Sequence, residues 1–174
     1  MFILNLKRIN VNEKWLEANV MNNKILILSN SYIGLYSFRK EVFQAFVDAR
    51  YHVSISCPLD EPDKAKWFEN IGCEIIDTPF NRKGTNPLKD LMLVFRYRII
   101  IKRVKPLAVL SYTIKPNLYG GMACQLTGVP QITNVTGLGS TVENPGWLQK
   151  LTIFLYKVGL RKAKKVFFQT LVSR

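Results

Sequence analysis

Residues 24–29 (KILILS) are a near-continuous apolar run, which predicts a parallel strand buried on both faces. Five further short runs follow it: 52–57 (HVSISC), 73–77 (CEIID), 107–111, 131–135 and 165–169 (KVFFQ). Between them lie stretches of helical length, expected at 37–50, 63–71, 87–105, after Pro116, and 147–164. Strands and helices alternating at this spacing predict an α/β fold, a doubly wound and mostly parallel sheet with helices on both faces. Residues 1–20 have no strong period and read as an N-terminal extension or as an ordinary packed helix, with the domain proper at 21–174.

The stretch 110–140 organises the rest. An apolar strand ends at Ser111, a helix starts after Pro116 with Asn117 as its expected cap, and Gly128 and Pro130 stop it before the next strand. In an open parallel sheet, ligands sit outside the carboxyl ends of the strands, so Thr113, Lys115, Asn117, Asn134, Thr136 and Ser140 are expected to share one crevice. Lys115 would supply charge there, while Gly137 and Gly139 would let backbone amides approach an anionic or polyhydroxyl ligand. Nearby, Glu143 reads either as a general base or acceptor-orienting group or as a solvated loop glutamate. The loop 78–86 carries Arg82 and Lys83, which either hold a diphosphate or belong to a surface loop.

Charge narrows the partners. With 25 Lys and Arg against 12 Asp and Glu, the net charge is +13, and the surface should attract a polyanion: nucleic acid, an anionic membrane face or a diphosphate substrate. Aromatic residues fall mainly on apolar helical faces or in strands and form no stacking platform beside the basic residues, which argues against nucleic acid. Three widely spaced cysteines without a CxxC motif read as reduced and mostly buried, and His52 reads as packing more readily than as catalysis. No Walker A, HExxH or GxSxG motif is present, no metal site is expected, and the single glycine of residues 30–36 does not match a dinucleotide fingerprint. No signal peptide or membrane span is evident, so the chain is expected in the cytoplasm with at most surface attachment.

Two helices are candidates for that attachment. Helix 87–105 is apolar around most of its circumference, with Arg96 and Arg103 on one side; it suits either a core helix with solvated flanks or one pressed against lipid. In helix 147–164 the spacing of Trp147, Leu151, Phe154 and Val158 predicts the buried face. Lys150, Lys157, Arg161 and Lys164 form a basic stripe beside Ile153, Tyr156 and Leu160, fit either for headgroups or for another domain.

Four stretches carry a resemblance: GLYSFRKE (34–41), RKGTNPLKDL (82–91), TIKPNLYGG (113–121) and NVTGLGS (134–140). Together they resemble the N-terminal, acceptor-side domain of bacterial retaining GT-B glycosyltransferases of the family 4-like type, which act on capsule and lipid-linked oligosaccharides. The resemblance implies a Rossmann-like domain, one half of a GT-B fold, whose partners are a nucleotide-sugar, a polyprenyl-diphosphate glycan and an anionic membrane surface. It implies that the donor is held mainly by a second, C-terminal domain or a separate subunit, with no other cofactor, and that this chain alone binds without turning over. Gly34, Thr113, Lys115, Asn117, Asn134, Thr136, Gly137 and Gly139 would line the acceptor side of the cleft, with Arg39 and Arg82 in reach. Neither matched cleft motif contains the histidine some relatives keep, so no catalytic residue is assigned. A non-catalytic membrane-recruiting subunit and a basic nucleic-acid-binding domain stay as alternatives, in that order.

Overall fold

The structure is a computed structural model and describes residues 22–82, 87–136 and 146–169. Its centre is a six-stranded sheet in the order β3-β2-β1-β4-β5-β6, with every neighbouring pair parallel. The strands are β1 (Lys24–Leu28), β2 (His52–Cys57), β3 (Glu74–Asp77), β4 (Ala108–Tyr112), β5 (Gln131–Val135) and β6 (Lys165–Phe168). Between them run α1 (Tyr32–Asp48), α2 (Pro62–Asn70), α3 (Pro87–Val104), a π-helical turn (Pro116–Gly120) continuing into α4 (Gly121–Thr127), and α5 (Trp147–Leu160). Strand order reverses between β1 and β4, the switch point at which such sheets open a crevice.

Alternation along β1 builds two cores. Ile25 and Ile27 pack with Tyr32, Leu35, Phe43 and Phe68 of α1 and α2 on one face. Leu26 and Leu28 pack with Leu93, Val94, Tyr97 and Ile101 of α3 and with Leu118 and Ala123 on the other. Each of these side chains removes apolar area from water, about 1.5–3 kcal/mol for a fully buried Leu, Ile or Phe. The three cysteines are free and buried, and burial alone pushes the Cys73 thiol up to about 11 and the Cys124 thiol up to about 12.

Several boundaries differ from the sequence expectation. Helix α1 begins at Tyr32, because the Ser31 side chain accepts the Gly34 amide and starts the helix earlier; Gly34 therefore lies in the first turn instead of a loop. Asn117 caps nothing. The chain is already helical at Ile114 and Lys115, and the Asn117 side chain turns into the sheet. On α5 the expected buried face is reversed: Trp147, Leu151 and Phe154 are exposed, whereas Thr152 and Gly159 are buried and Leu155 and Tyr156 pack on the core. The reason is Gly159, whose missing side chain lets α5 settle against Leu118 of the π-helical turn.

Tyr97 of α3 is fully buried, and its hydroxyl has no hydrogen-bond partner. An unpaired buried hydroxyl costs desolvation without return. Tyr97→Phe is therefore expected to leave thermal stability unchanged or to raise it by up to about 1 kcal/mol. A drop of that size in a denaturation midpoint would show that the hydroxyl is engaged after all.

Candidate functional site

The carboxyl ends of the strands carry two linked polar clusters. At the end of β1, Ser31 caps α1, and its hydroxyl also donates to both carboxylate oxygens of Glu61 at 3.2 and 3.3 Å. The amide of Ile33 donates to Glu61 Oε2 at 2.7 Å. A carboxylate from the segment after β2 thus fills the amino end of α1, where the helix dipole favours negative charge. Arg82 completes the group, its Nη2 2.6 Å from Asp60 Oδ1 and its Nη1 3.5 Å from Glu61 Oε1. Arg82 is thereby committed to two carboxylates, against the expectation of a cation free to hold a diphosphate.

The second cluster stands at the ends of β4 and β5. Thr113 follows β4 with φ of 71°, a left-handed conformation uncommon for a β-branched residue and costly unless its surroundings enforce it. Its carbonyl accepts the Asn117 amide at 3.0 Å. The Asn117 side chain, 1% exposed, donates from Nδ2 to the Asn134 carbonyl, so one carboxamide ties the π-helical turn to the end of β5. From below, Gln131 Nε2 donates to Ser111 Oγ and to the Asn117 carbonyl. Three buried atoms of this cluster have no partner: Thr113 Oγ1, Asn117 Oδ1 and Asn134 Oδ1.

Lys115 belongs to the wall of this cluster. Its Nζ lies 2.6 Å from Asp90 Oδ1, the two side chains being 13% and 11% exposed, and Tyr119 donates to Asp90 Oδ2 at 3.0 Å. Burial, then the Asp90 carboxylate, push the Tyr119 phenol upward, so it stays a donor at any physiological pH. The expected role of Lys115 as a free positive charge in the crevice is corrected accordingly. Its charge is cancelled inside the wall, where it pins the 113–117 turn to the first turn of α3.

Arg39 lies well inside α1, not in its first turn, and reaches the same edge: its guanidinium stands 5.6 Å above the Tyr112 ring and donates to Gln169, which follows β6. Thr136 is exposed just beyond β5, and Gly34 stays at the α1 entry beside Glu61. Gly137, Gly139 and Glu143 lie outside the described residues, as do residues 1–20. The structure thus brings Thr113, Asn117 and Asn134 together and gathers Arg82 with Glu61 at the β1 side. Sequence reasoning missed Glu61 and Asp90. Glu61 stands just before Pro62 and reads as a local complement to α2, and only the fold shows that it serves α1.

The basic residues expected at a membrane are spread more widely. Arg96 donates to the Pro79 carbonyl and Arg103 stands 3.5 Å from Glu74, whereas Lys150, Lys157, Arg161 and Lys164 are exposed. Alongside them, Leu91, Met92, Phe95 and Ile99 of α3 and Trp147 and Phe154 of α5 leave large apolar side chains in solvent. Among the described residues no helix is long and apolar enough to cross a membrane, and no cluster of His, Cys, Asp or Glu could hold a metal ion.

An all-parallel six-stranded sheet with helices on both faces and polar turns along its carboxyl edge is a Rossmann-like domain, matching one half of a GT-B fold. The profile of the glycosyl transferase 4-like family matches residues 24–170, and the chain belongs to that family. No curated protein sequence matches it significantly. Among solved structures it is similar to MurG from Acinetobacter baumannii (TM-score 0.52, 18% identity, 84% of this chain and 40% of that one). It is similar also to a glycosyltransferase from Rickettsia africae (0.56, 16%, 84% and 43%). A putative UDP-N-acetylglucosamine 2-epimerase from Listeria monocytogenes shares the fold too (0.59, 13%, 84% and 38%). The chain spans about two fifths of the length of these proteins, and at such identities the likeness concerns the fold alone.

Proposed function

We propose that the chain is the acceptor-side domain of a retaining glycosyltransferase that moves a sugar from a nucleotide-sugar onto a polyprenyl-diphosphate-linked glycan, as in capsule, exopolysaccharide or O-antigen synthesis. The observation that carries this reading is the set of unpartnered buried atoms, Thr113 Oγ1, Asn117 Oδ1 and Asn134 Oδ1, at the carboxyl ends of β4 and β5. Two of them only accept and the third can do either. They are closed to solvent in this structure, so a shift of the 113–117 turn must expose them, and they then suit hydroxyls or amide N–H groups of a glycan and oppose a phosphate. Buried polar atoms are rarely left unpaired, and a site that waits for a ligand is one reason for the exception.

Family membership supports the reaction class. With Lys115 and Arg82 already neutralised, the contribution of this domain is to position the sugar, and the donor is held mainly by a second domain. Gly137, Gly139 and Glu143 come after β5 in the sequence and join the proposed site on the sequence alone. Exposed apolar residues of α3, and those of α5 beside Lys150 and Lys157, support attachment to the inner face of the cell membrane, since apolar insertion and headgroup attraction add.

Co-sedimentation with anionic vesicles, with and without an undecaprenyl-diphosphate-linked sugar, tests this reading. The lipid-linked sugar should strengthen binding, and Asn134→Ala should weaken that gain about 5- to 10-fold, the value of one hydrogen bond. Absence of binding to every vesicle would overturn the membrane acceptor. Binding indifferent to the sugar would overturn the role of the Thr113, Asn117 and Asn134 cluster.

A further inference from the structure

Further positive charge among the described residues lies at the opposite edge of the sheet. There the strands begin, and a groove of about 370 Å³ opens between β1, β2, β3 and the last turn of α3. Lys24 and His52, neighbours in register at the starts of β1 and β2, line it together with Arg103, Glu74, Ser54 and Gly72. Among the described residues, neither the Lys24 ammonium nor the His52 imidazole has a hydrogen-bond or ion-pair partner. Arg103 is held only loosely: its Nη2 stands 3.5 Å from Glu74 Oε1, and both side chains are more than half exposed, a pairing worth little in solvent. Glu74 is anchored elsewhere, since its other oxygen accepts from Ser54 Oγ at 2.6 Å.

Helix dipoles explain part of this charge. Lys102 and Arg103 end α3, where cations complement the carbonyl end of the helix. Lys24 and His52 begin strands; the carbonyl ends of α1 at Asp48 and of α2 at Asn70 reach the same edge and, like Glu74, oppose an anion there, so the side chains of Lys24, His52 and Arg103 must supply the binding. We infer that the groove is a phosphate-binding site, in which Arg103 presents its fork, Lys24 a point charge and His52 an imidazole N–H to the oxygens of one phosphate group. Arg and Lys suit this ligand in complementary ways, the first by paired hydrogen bonds and the second by charge. Exposed Lys102 and Lys105 add to the positive field, while Glu74 opposes binding and sets its strength. The ligand is either a soluble phosphate or the phosphomonoester headgroup of a lipid; both offer the same oxygens. The site is independent of the carboxyl-edge crevice.

His52 is the only histidine of the chain, so its ring resonances report on the groove alone. Titration of the full chain with inorganic phosphate, with pyrophosphate, and with vesicles of phosphatidic acid or of phosphatidylcholine should move the His52 signals saturably. Chloride at equal ionic strength and phosphatidylcholine should not. Lys24→Gln and Arg103→Gln should each weaken binding about 10-fold, as expected for a lost charged hydrogen bond, and Glu74→Gln should strengthen it. All three side chains are exposed, so the variants are expected to fold, which unchanged methyl spectra would verify. Saturation by soluble phosphate assigns the site to a free ligand, and saturation only by phosphatidic acid assigns it to lipid. A shift that is linear, common to chloride, or equal in all variants would overturn the site.

Discussion

Asp90→Ala is expected to lower the stability of this domain by about 3–5 kcal/mol, the usual cost of removing one partner of a buried ion pair. The Lys115 ammonium lies 2.6 Å from Asp90 at 13% exposure and would be left without its counter-ion, while the Tyr119 hydroxyl would lose its acceptor. Because both side chains keep a sliver of solvent contact, the lower part of that range applies. The cost arises from the stranded charge and not from the worth of the pair, so a second change that removes the charge should recover much of it. Lys115→Met added to Asp90→Ala is expected to restore the denaturation midpoint most of the way, as buried pairs replaced by apolar residues often prove neutral. If Asp90→Ala shifts a urea midpoint by no more than about 0.5 kcal/mol, the pair behaves as a surface salt bridge and does not pin the 113–117 turn. For the same reason Lys115→Ala is a poor test of ligand binding: any loss it causes is mixed with the cost of a stranded Asp90 carboxylate.

All six strands stand where the apolar runs placed them, within a residue at each end, because a parallel strand covered on both faces leaves a continuous signal. The crevice was legible in part. Thr113, Asn117 and Asn134 converge as the strand-helix-strand unit predicts, since topology alone sends the ends of β4 and β5 to one edge. What those side chains do there was not legible. Lys115 finds its partner 25 residues upstream, and Glu61 reaches across from the end of β2 to the start of α1, so both pairings exist only once the sheet has formed. Positive charge misled for a related reason: Arg82 and Lys115 beside the crevice are spent on carboxylates, whereas Arg39 there and Lys24 at the far edge are not. On α5 the spacing of Trp147, Leu151 and Phe154 marks one face of a helix but cannot say which way it points. The turn of that helix was set by a side chain that is absent.

Gly159→Ala tests that explanation. A methyl group there would stand 2.7 Å from the Leu118 carbonyl oxygen and 2.9 Å from Leu118 Cα. Both are backbone atoms, so no rotamer change relieves the contact; the helix or the π-helical turn must move. Alanine in place of a glycine in the last turn would otherwise stabilise α5 by at most about 1 kcal/mol. The overpacking opposes this with about 3 kcal/mol, the upper part of the usual range, leaving a net loss of about 2 kcal/mol. For a domain of this size that lowers the melting temperature by about 4–8 °C. Gly34→Ala is the control: it replaces another helical glycine, its methyl group would meet nothing closer than 3.9 Å, and it should stabilise by about 0.5–1 kcal/mol. Opposite signs for the two substitutions follow from contact geometry alone, since helix propensity favours both. Stabilisation by Gly159→Ala would mean that α5 does not press on Leu118, and the exposure of Trp147 and Phe154, with the membrane face built on it, would have to be withdrawn. The expected loss would also reach the crevice. Leu118 adjoins Asn117, so pushing the turn aside strains the Asn117 bond to the Asn134 carbonyl and loosens the cluster proposed to meet the glycan.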